Sequence, residues 1–511
     1  MRAKKSLNNT LMGFLAKFTA IGCGLILPYL ILNTFGSSYN GMTNSIIQFL
    51  HVVYLLNAGI GVVATASLYK PLAENDIESV SAVVKTAESF LRKVALVFLG
   101  IALLMAGVFP LLVLDEFNYF YSASLVLIIS ISTFTHYFFG LAYQTVLTAD
   151  QKQSFIYIAE TAKTVVNTLV GVIIINLGFG IHAVMAGTAV VFSAPPVITH
   201  MYVRKKYKIN INAKKNNELI KQRWDNFAIH TAAFISNNIG LIIITIFTNL
   251  YEVSVFVVYR MIIFGGIATL MSPFELGIQS AFGDMLAKKE YKRIIAGLRT
   301  YEQVVFVSAT FLFGVTAATI LPFISIYTAN IVDADYIRPI FAYFFILAIF
   351  AKVIFIPYVG IANAAGHFSQ LRKPAYIEAA MCLILSVVMV YAMGILGAVI
   401  AVGIAYGFRT VRYAVYTSHI LVPRSIWLFI KRAALSLISI AVIVFLSKLI
   451  HYDPSPTFFH WALYAGVVSV IAGVMLILSE WLFYREDTLN LISLLVRMRR
   501  KARKQSESFD C

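Results

Sequence analysis

The chain has 511 residues, of which 59% are hydrophobic and only 13% charged, and its mean hydropathy is +0.81. A soluble globular domain is about 45–50% apolar and about 25% charged, so this composition excludes a water-soluble fold and describes a polypeptide written for lipid. The net charge of +17 would suit nucleic acid if it clustered on a soluble surface, but its placement points elsewhere.

A helix needs about 20 mainly apolar residues to cross a bilayer. Fourteen such stretches occur, at 9–32, 41–69, 94–114, 120–148, 154–176, 181–203, 225–249, 253–283, 303–328, 339–364, 374–394, 396–420, 426–449 and 458–483. The first is long and holds Lys17, so it reads as a retained span, not a cleaved leader. With the N-terminus inside, the inside segments carry 33 of the 41 Lys and Arg when Lys431 and Arg432 at the inner end of span thirteen are counted with them, and the outer side carries only Arg338 and, at the outer end of that span, Lys448. Basic residues collect in cytoplasmic loops, so both termini are expected in the cytoplasm. The basic excess then reports topology and contact with anionic lipid, the tail "RMRRKARK" included, and no nucleic acid partner is expected. Cys23 and Cys382 lie in apolar runs and Cys511 in the tail, with no disulfide or metal spacing and no cofactor signature.

Ionisable groups inside spans are costly unless they face protein or water, so each is a functional candidate. In chain order the first is Lys17. His51 and His136 lie near mid-span, where a neutral imidazole bonding a neighbouring helix is the plainer role. Glu160 and Lys163 are spaced i, i+3 in span five and are expected to pair with each other. Arg260 lies in span eight and Lys352 halfway through span ten, too deep to snorkel easily. Lys17, Arg260 and Lys352 are the candidate cationic cavity for a phosphate or another anion. Glu378 in span eleven and Arg409 and Arg412 in span twelve read as a brace or gate. Glu275 follows Pro273 in "MSPFELG", a helix-kinking site. Gly59 and Gly61 sit 214 residues earlier, so the hinge candidates are Gly59, Gly61 and Pro273, with Glu160, Lys163 and Glu275 as coupling candidates.

That offset recurs. Lys85-Thr86-x-Glu88 becomes Arg299-Thr300-x-Glu302, Gly100 falls on Gly314, and the apolar positions Val80, Val84, Phe90 and Leu91 fall on Ile294, Leu298, Val304 and Val305. Their spacing of three and four marks an amphipathic helix in each half. Glu160 meets Glu378 at 218, and "GIHAVMAG" meets "LGAVIAVG" at 216. This series predicts a six-plus-six duplication. The expected units are an N-terminal lobe at 1–205, a linker at 206–223, a C-terminal lobe at 224–423, two extra spans at 424–484, and a basic tail at 485–511. Six is even, so the halves share one membrane orientation, and a repeat of that kind places a transport site between the lobes. No nucleotide-binding loop, nucleophile elbow or sizeable outer loop is present, which favours transport over an enzyme.

Two six-helix lobes with two trailing spans resemble the polysaccharide-transporter branch of the multidrug/oligosaccharidyl-lipid/polysaccharide exporter superfamily. The likeness is carried by "GIGVVATASLYKPLAENDIESV" (Gly59 to Val80), by "FGSSYNGM" (Phe35 to Met42), and by the Gly/Ala-rich openings of spans six and twelve. The resemblance implies an all-α, V-shaped exporter fold of about fourteen spans in the bacterial inner membrane, working by alternating access. It implies a flippase for undecaprenyl-diphosphate-linked oligosaccharide, serving O-antigen, capsule or a related polymer. Membrane lipids and the polymerase and glycosyltransferases of polymer synthesis are its implied partners. Two alternatives stay open. Lipid II flippases carry basic residues in spans one, two and eight, and here span two has none. Drug or metabolite antiporters use a membrane carboxylate for ion coupling, for which Glu160 and Glu275 are the available groups.

Overall fold

In the computed structural model the described residues are 2–57, 59–210, 213, 224–272, 274, 282–286, 288–450, 457–491 and 493. Among them every regular element is a helix. Twelve of these helices are long and apolar enough to cross a membrane, from Leu15–Phe35 to Phe458–Phe483. Ser37–Leu56 and Ile60–Glu74 make a further span bent by 48°, and Trp224–Phe247, with its apolar stretch Thr231–Phe247, fills the seventh place. The fourteen apolar stretches of the sequence therefore each have their helix. Most of the 206–223 linker and of the basic tail lies outside the described residues.

Gly59 sits at the bend of span two with φ +92°, a left-handed conformation that costs glycine nothing and a branched residue a great deal. Gly61 is the second residue of the helix that follows, with open space beside it. Pro273 and Glu275 lie outside the described residues.

The two amphipathic segments are not separate helices. Each runs unbroken into the following span, as Ile77–Leu112 with 36 residues and Tyr291–Tyr327 with 37. No glycine or proline interrupts the polar-to-apolar junction in either copy. At 1.5 Å per residue each helix is about 54 Å long, well beyond a hydrocarbon core of about 30 Å. The first third of each must therefore project from the bilayer. Asp76 starts the first by accepting the Ser79 amide at 3.0 Å; the Ser79 hydroxyl first and this amide second favour the ionised carboxylate and lower its pKa.

The chain folds into two compact units. One comprises Met1–Met261, Asn330–Asp335 and Ala375–Ala398. Its core joins the first six spans through Leu27, Met42, Phe98, Leu125, Ile175 and Ile181. The other comprises Ile262–Ala329, Tyr336–Pro374 and Val399–Cys511. There the last two spans pack on Tyr291–Tyr327 through Ile443, Tyr464 and Val468 against Phe311 and Val315. A side chain at Gly314 would meet Ile443 at 2.6 Å, whereas its counterpart Gly100 has open space. One repeated glycine thus receives a span that the other half lacks.

In the first unit, Asp333 accepts from the backbone amide of Ser37 at 2.7 Å and from its hydroxyl at 2.5 Å. Gly36, at φ +94°, turns the chain into this cap. Asp333→Ala should cost about 1–2 kcal/mol through loss of a helix cap. Asp333→Asn, which keeps an acceptor, should cost less. Thermal unfolding midpoints of the purified protein in detergent measure both.

Candidate functional site

Span eight begins at Leu250 because Asn249 caps it, accepting the Glu252 amide at 2.9 Å. Leu250–Arg260 lies hard against Ser37–Leu50, since the Leu250 carbonyl occupies the space where a side chain at Gly41 would stand. That approach permits polar links between the spans. Asn40 donates to Ser254 at 2.7 Å, and the Ser45 and Thr245 hydroxyls are hydrogen-bonded at 2.9 Å. Asn40 and Ser254 are 214 positions apart, the same offset at which the sequence motif recurs. Beside them, Glu116 accepts the Leu250 amide at 3.3 Å. Burial raises the Glu116 pKa, while that amide pulls it back.

Further along the same helix pair, the Arg260 guanidinium donates to Gln48 Oε1 at 3.1 Å, Asn237 O at 3.2 Å and Asn238 Oδ1 at 3.3 Å. A guanidinium in a lipid-embedded helix has to be satisfied by protein, because lipid has no acceptors. The backbone widens from α to π geometry at the next residue, Met261, an irregularity frequent at functional sites. Lys17 is half-buried in Leu15–Phe35, in the same unit. Lys352 belongs to the other unit. Its ammonium lies 4.3 Å from the centroid of Phe264 and 5.2 Å from that of Tyr406, a cation–π setting that tolerates charge away from water.

Glu160 and Lys163 form the expected ion pair. The pair lines a cavity of about 380 Å³ among spans two, four, five and six, together with His51 and His136. Glu378 is fully buried. Arg409 stacks on Phe355 at 4.4 Å, and Arg412 is exposed.

Sequence reading noticed Glu88 and Glu302 as a repeated motif but missed what they do. Glu88 is buried, accepts from Arg92 at 2.6 Å and from the Tyr143 hydroxyl at 3.2 Å, and pairs with Lys85 at 3.6 Å. Glu302 is fully buried and takes both guanidinium nitrogens of Arg424, one of them at 2.7 Å, with Tyr358 adjoining. Burial alone would lower the Arg424 pKa, but Glu302 reverses this and raises it. Tyr143 and Tyr358 are 215 positions apart, so each half ties its long helix to the following span by a glutamate–tyrosine pair. A second network joins the buried pair Asp487 and Arg432, at 2.9 Å, to the half-exposed Arg299 at 2.7 Å from Asp487. The offset that aligns the glutamates also nearly aligns the tyrosines, and that was the available signal.

Comparison with protein-family models finds no match, and none of the curated proteins matches either. Solved structures do. The inward closed conformation of the lipid II flippase MurJ superposes with a TM-score of 0.70 over 94% of this chain and 99% of that one, at 15% identity. A Vibrio cholerae MATE transporter superposes with 0.56 over 83% of this chain and 99% of its own, at 15% identity. The inward-facing form of a multidrug resistance MATE transporter of the MOP superfamily gives 0.54 over 82% and 95%, at 14% identity. Helix count, the paired long helices and these superpositions agree on one point: the chain is a multi-pass membrane protein with the fold shared by MurJ and the MATE transporters of the MOP superfamily.

Proposed function

We propose that the protein is a flippase that moves a polyprenyl-diphosphate-linked oligosaccharide from the cytoplasmic to the outer leaflet of the bacterial inner membrane by alternating access. The observation that carries the reading is the extent of the fold match. The flippase structure accounts for 94% of this chain, whereas the two drug-transporter structures account for 82% and 83%. In this reading Arg260, Lys17 and Lys352 are the candidate cations for the diphosphate, and the polyprenyl tail stays in lipid. The two six-helix lobes rock to open the path to one face of the membrane and then to the other. Both termini lie in the cytoplasm. The polymerase and glycosyltransferases of surface-polysaccharide synthesis act before and after it.

Lipid II is the second reading, favoured by the identity of the flippase with the matching fold. At span two, however, the neutral Gln48 is what meets Arg260, where lipid II flippases are expected to add a basic residue. Lys352→Ala tests the shared core of both readings. In proteoliposomes it should reduce flipping of a fluorescent diphosphate-linked oligosaccharide at least about tenfold, the worth of one lost charge-assisted contact of about 1.5–3 kcal/mol. Protein abundance should not change. Full flipping by the variant removes Lys352 from the site, and a parallel assay with lipid II ranks the two cargoes.

A further inference from the structure

The cavity between spans two, four, five and six has no part in the proposed diphosphate site, for none of Lys17, Arg260 and Lys352 lines it. At about 380 Å³ it falls within the usual range for small-molecule sites, about 300–1,000 Å³. Two local irregularities aim side chains into it. His51 begins a 3₁₀ turn that interrupts span two, and His136 begins the π-helical stretch His136–Gly140 in span four. Gly140 leaves room there for Pro196 of span six, whose Cβ lies 2.9 Å from where a side chain would start.

The charges lining the cavity cancel one another. Glu160 pairs with Lys163, and Lys163 also rests on the Phe192 ring at 4.8 Å. An entering anion meets the Glu160 carboxylate and an entering cation meets the Lys163 ammonium, so neither gains from the pair as a whole. Among aliphatic residues such as Ile47 and Met185, the remaining lining offers hydroxyls, imidazoles and aromatic rings, with Ser132, Thr133 and Thr188 beside Tyr54 and Phe192. The Thr188 hydroxyl oxygen is buried and has no hydrogen-bond partner among the described residues, a cost that a ligand hydroxyl would remove. A carboxylate already paired on one oxygen can still accept further hydrogen bonds, so Glu160 is open to hydroxyl donors.

We infer that this cavity binds a neutral polyhydroxylated group, a glycosyl unit, with its hydroxyls on Thr188 and Glu160 and its ring against Tyr54 or Phe192. Only the source of that unit, the glycan of a transported lipid, rests on the flippase reading. The site itself lies within one compact unit and binds free sugar.

The test uses full-length protein in detergent and saturation-transfer NMR with N-acetylglucosamine, glucose 1-phosphate and choline as probes. Saturable binding of the neutral sugar is expected. It should weaken about tenfold in the near-isosteric Thr188→Val, as loss of one buried hydrogen bond predicts, and vanish in the cavity-filling Ala189→Phe. Unchanged thermal midpoints confirm that the variants fold, and Thr188→Val keeps the test alive if Ala189→Phe does not. No saturable sugar signal, equal binding by both variants, or tighter binding of either charged probe overturns the inference. If the wild type flips a diphosphate-linked oligosaccharide and Ala189→Phe both binds sugar and flips normally, the pocket fails and the flippase reading stands. If the sugar binds through Thr188 but no diphosphate-linked lipid is flipped, the pocket stands and the flippase reading fails.

Discussion

Replacing Glu302 with Gln should destabilise the protein by about 3–5 kcal/mol, the cost of stranding one partner of a buried ion pair. Glu302 is completely buried and Arg424 is 9% exposed, so the guanidinium left behind has no water to turn to. Arg424→Met should cost a similar amount. The double variant should recover much of the loss, because two apolar or neutral groups of like size replace a pair that was itself expensive to desolvate. Equilibrium or thermal unfolding in one detergent, arranged as a double-mutant cycle, measures the coupling. The first-half counterpart sets the contrast. Arg92 is 40% exposed, and the buried Glu88 keeps Lys85 and the Tyr143 hydroxyl when Arg92 is lost, so this link is worth about the 0–1 kcal/mol of a surface pair. Arg92→Met should therefore barely move the midpoint. Equal effects at Arg92 and Arg424 would show that burial does not govern these links.

Enlarging Gly41 to Leu should force spans two and eight apart. Any side chain there collides with the Leu250 carbonyl, which is backbone and cannot swing aside. Overpacking of a tight contact costs about 1–3 kcal/mol, and here it also breaks the Asn40–Ser254 and Ser45–Thr245 bonds. Ser45 is fully buried in the native contact. The Ser45→Cys thiol should react with a water-soluble maleimide at least about tenfold faster in the Gly41→Leu background, because each 1.4 kcal/mol of opening is worth a factor of ten. Asn40→Ala removes one bond without adding volume and should raise reactivity less. An unreactive Ser45→Cys in the Gly41→Leu protein would mean that the helices accommodate the clash elsewhere.

Much of the architecture was legible because lipid imposes a length and a polarity on every spanning helix. The fourteen apolar runs, the helical period of each amphipathic segment and the Glu160–Lys163 pair all follow from spacing within one helix. At Gly59 the structure has a positive φ and span two bends by 48°. The grouping of Lys17, Arg260 and Lys352 rests on depth. Depth orders residues along the bilayer normal but does not tell which helix face or which unit they share. Arg260 proved to sit among amides, and Lys352 among aromatic rings.

An all-helical polytopic chain with a duplicated motif could be read from the residues without coordinates. Hydrogen bonding in lipid leaves a helix little alternative, and the helical period sets i, i+3 and i, i+4 neighbours. The long-range partners emerged only from the packing of the helices. Glu302 finds Arg424 at a separation of 122 residues and Arg260 finds Gln48 at 212, and the neutral cavity draws on four spans. The cause lies in how membrane helices associate. Apolar side chains suit lipid and neighbouring helices almost equally well, so small residues and polar contacts select the partner. Gly41 against the Leu250 carbonyl is such a selection, visible once the two helices are side by side.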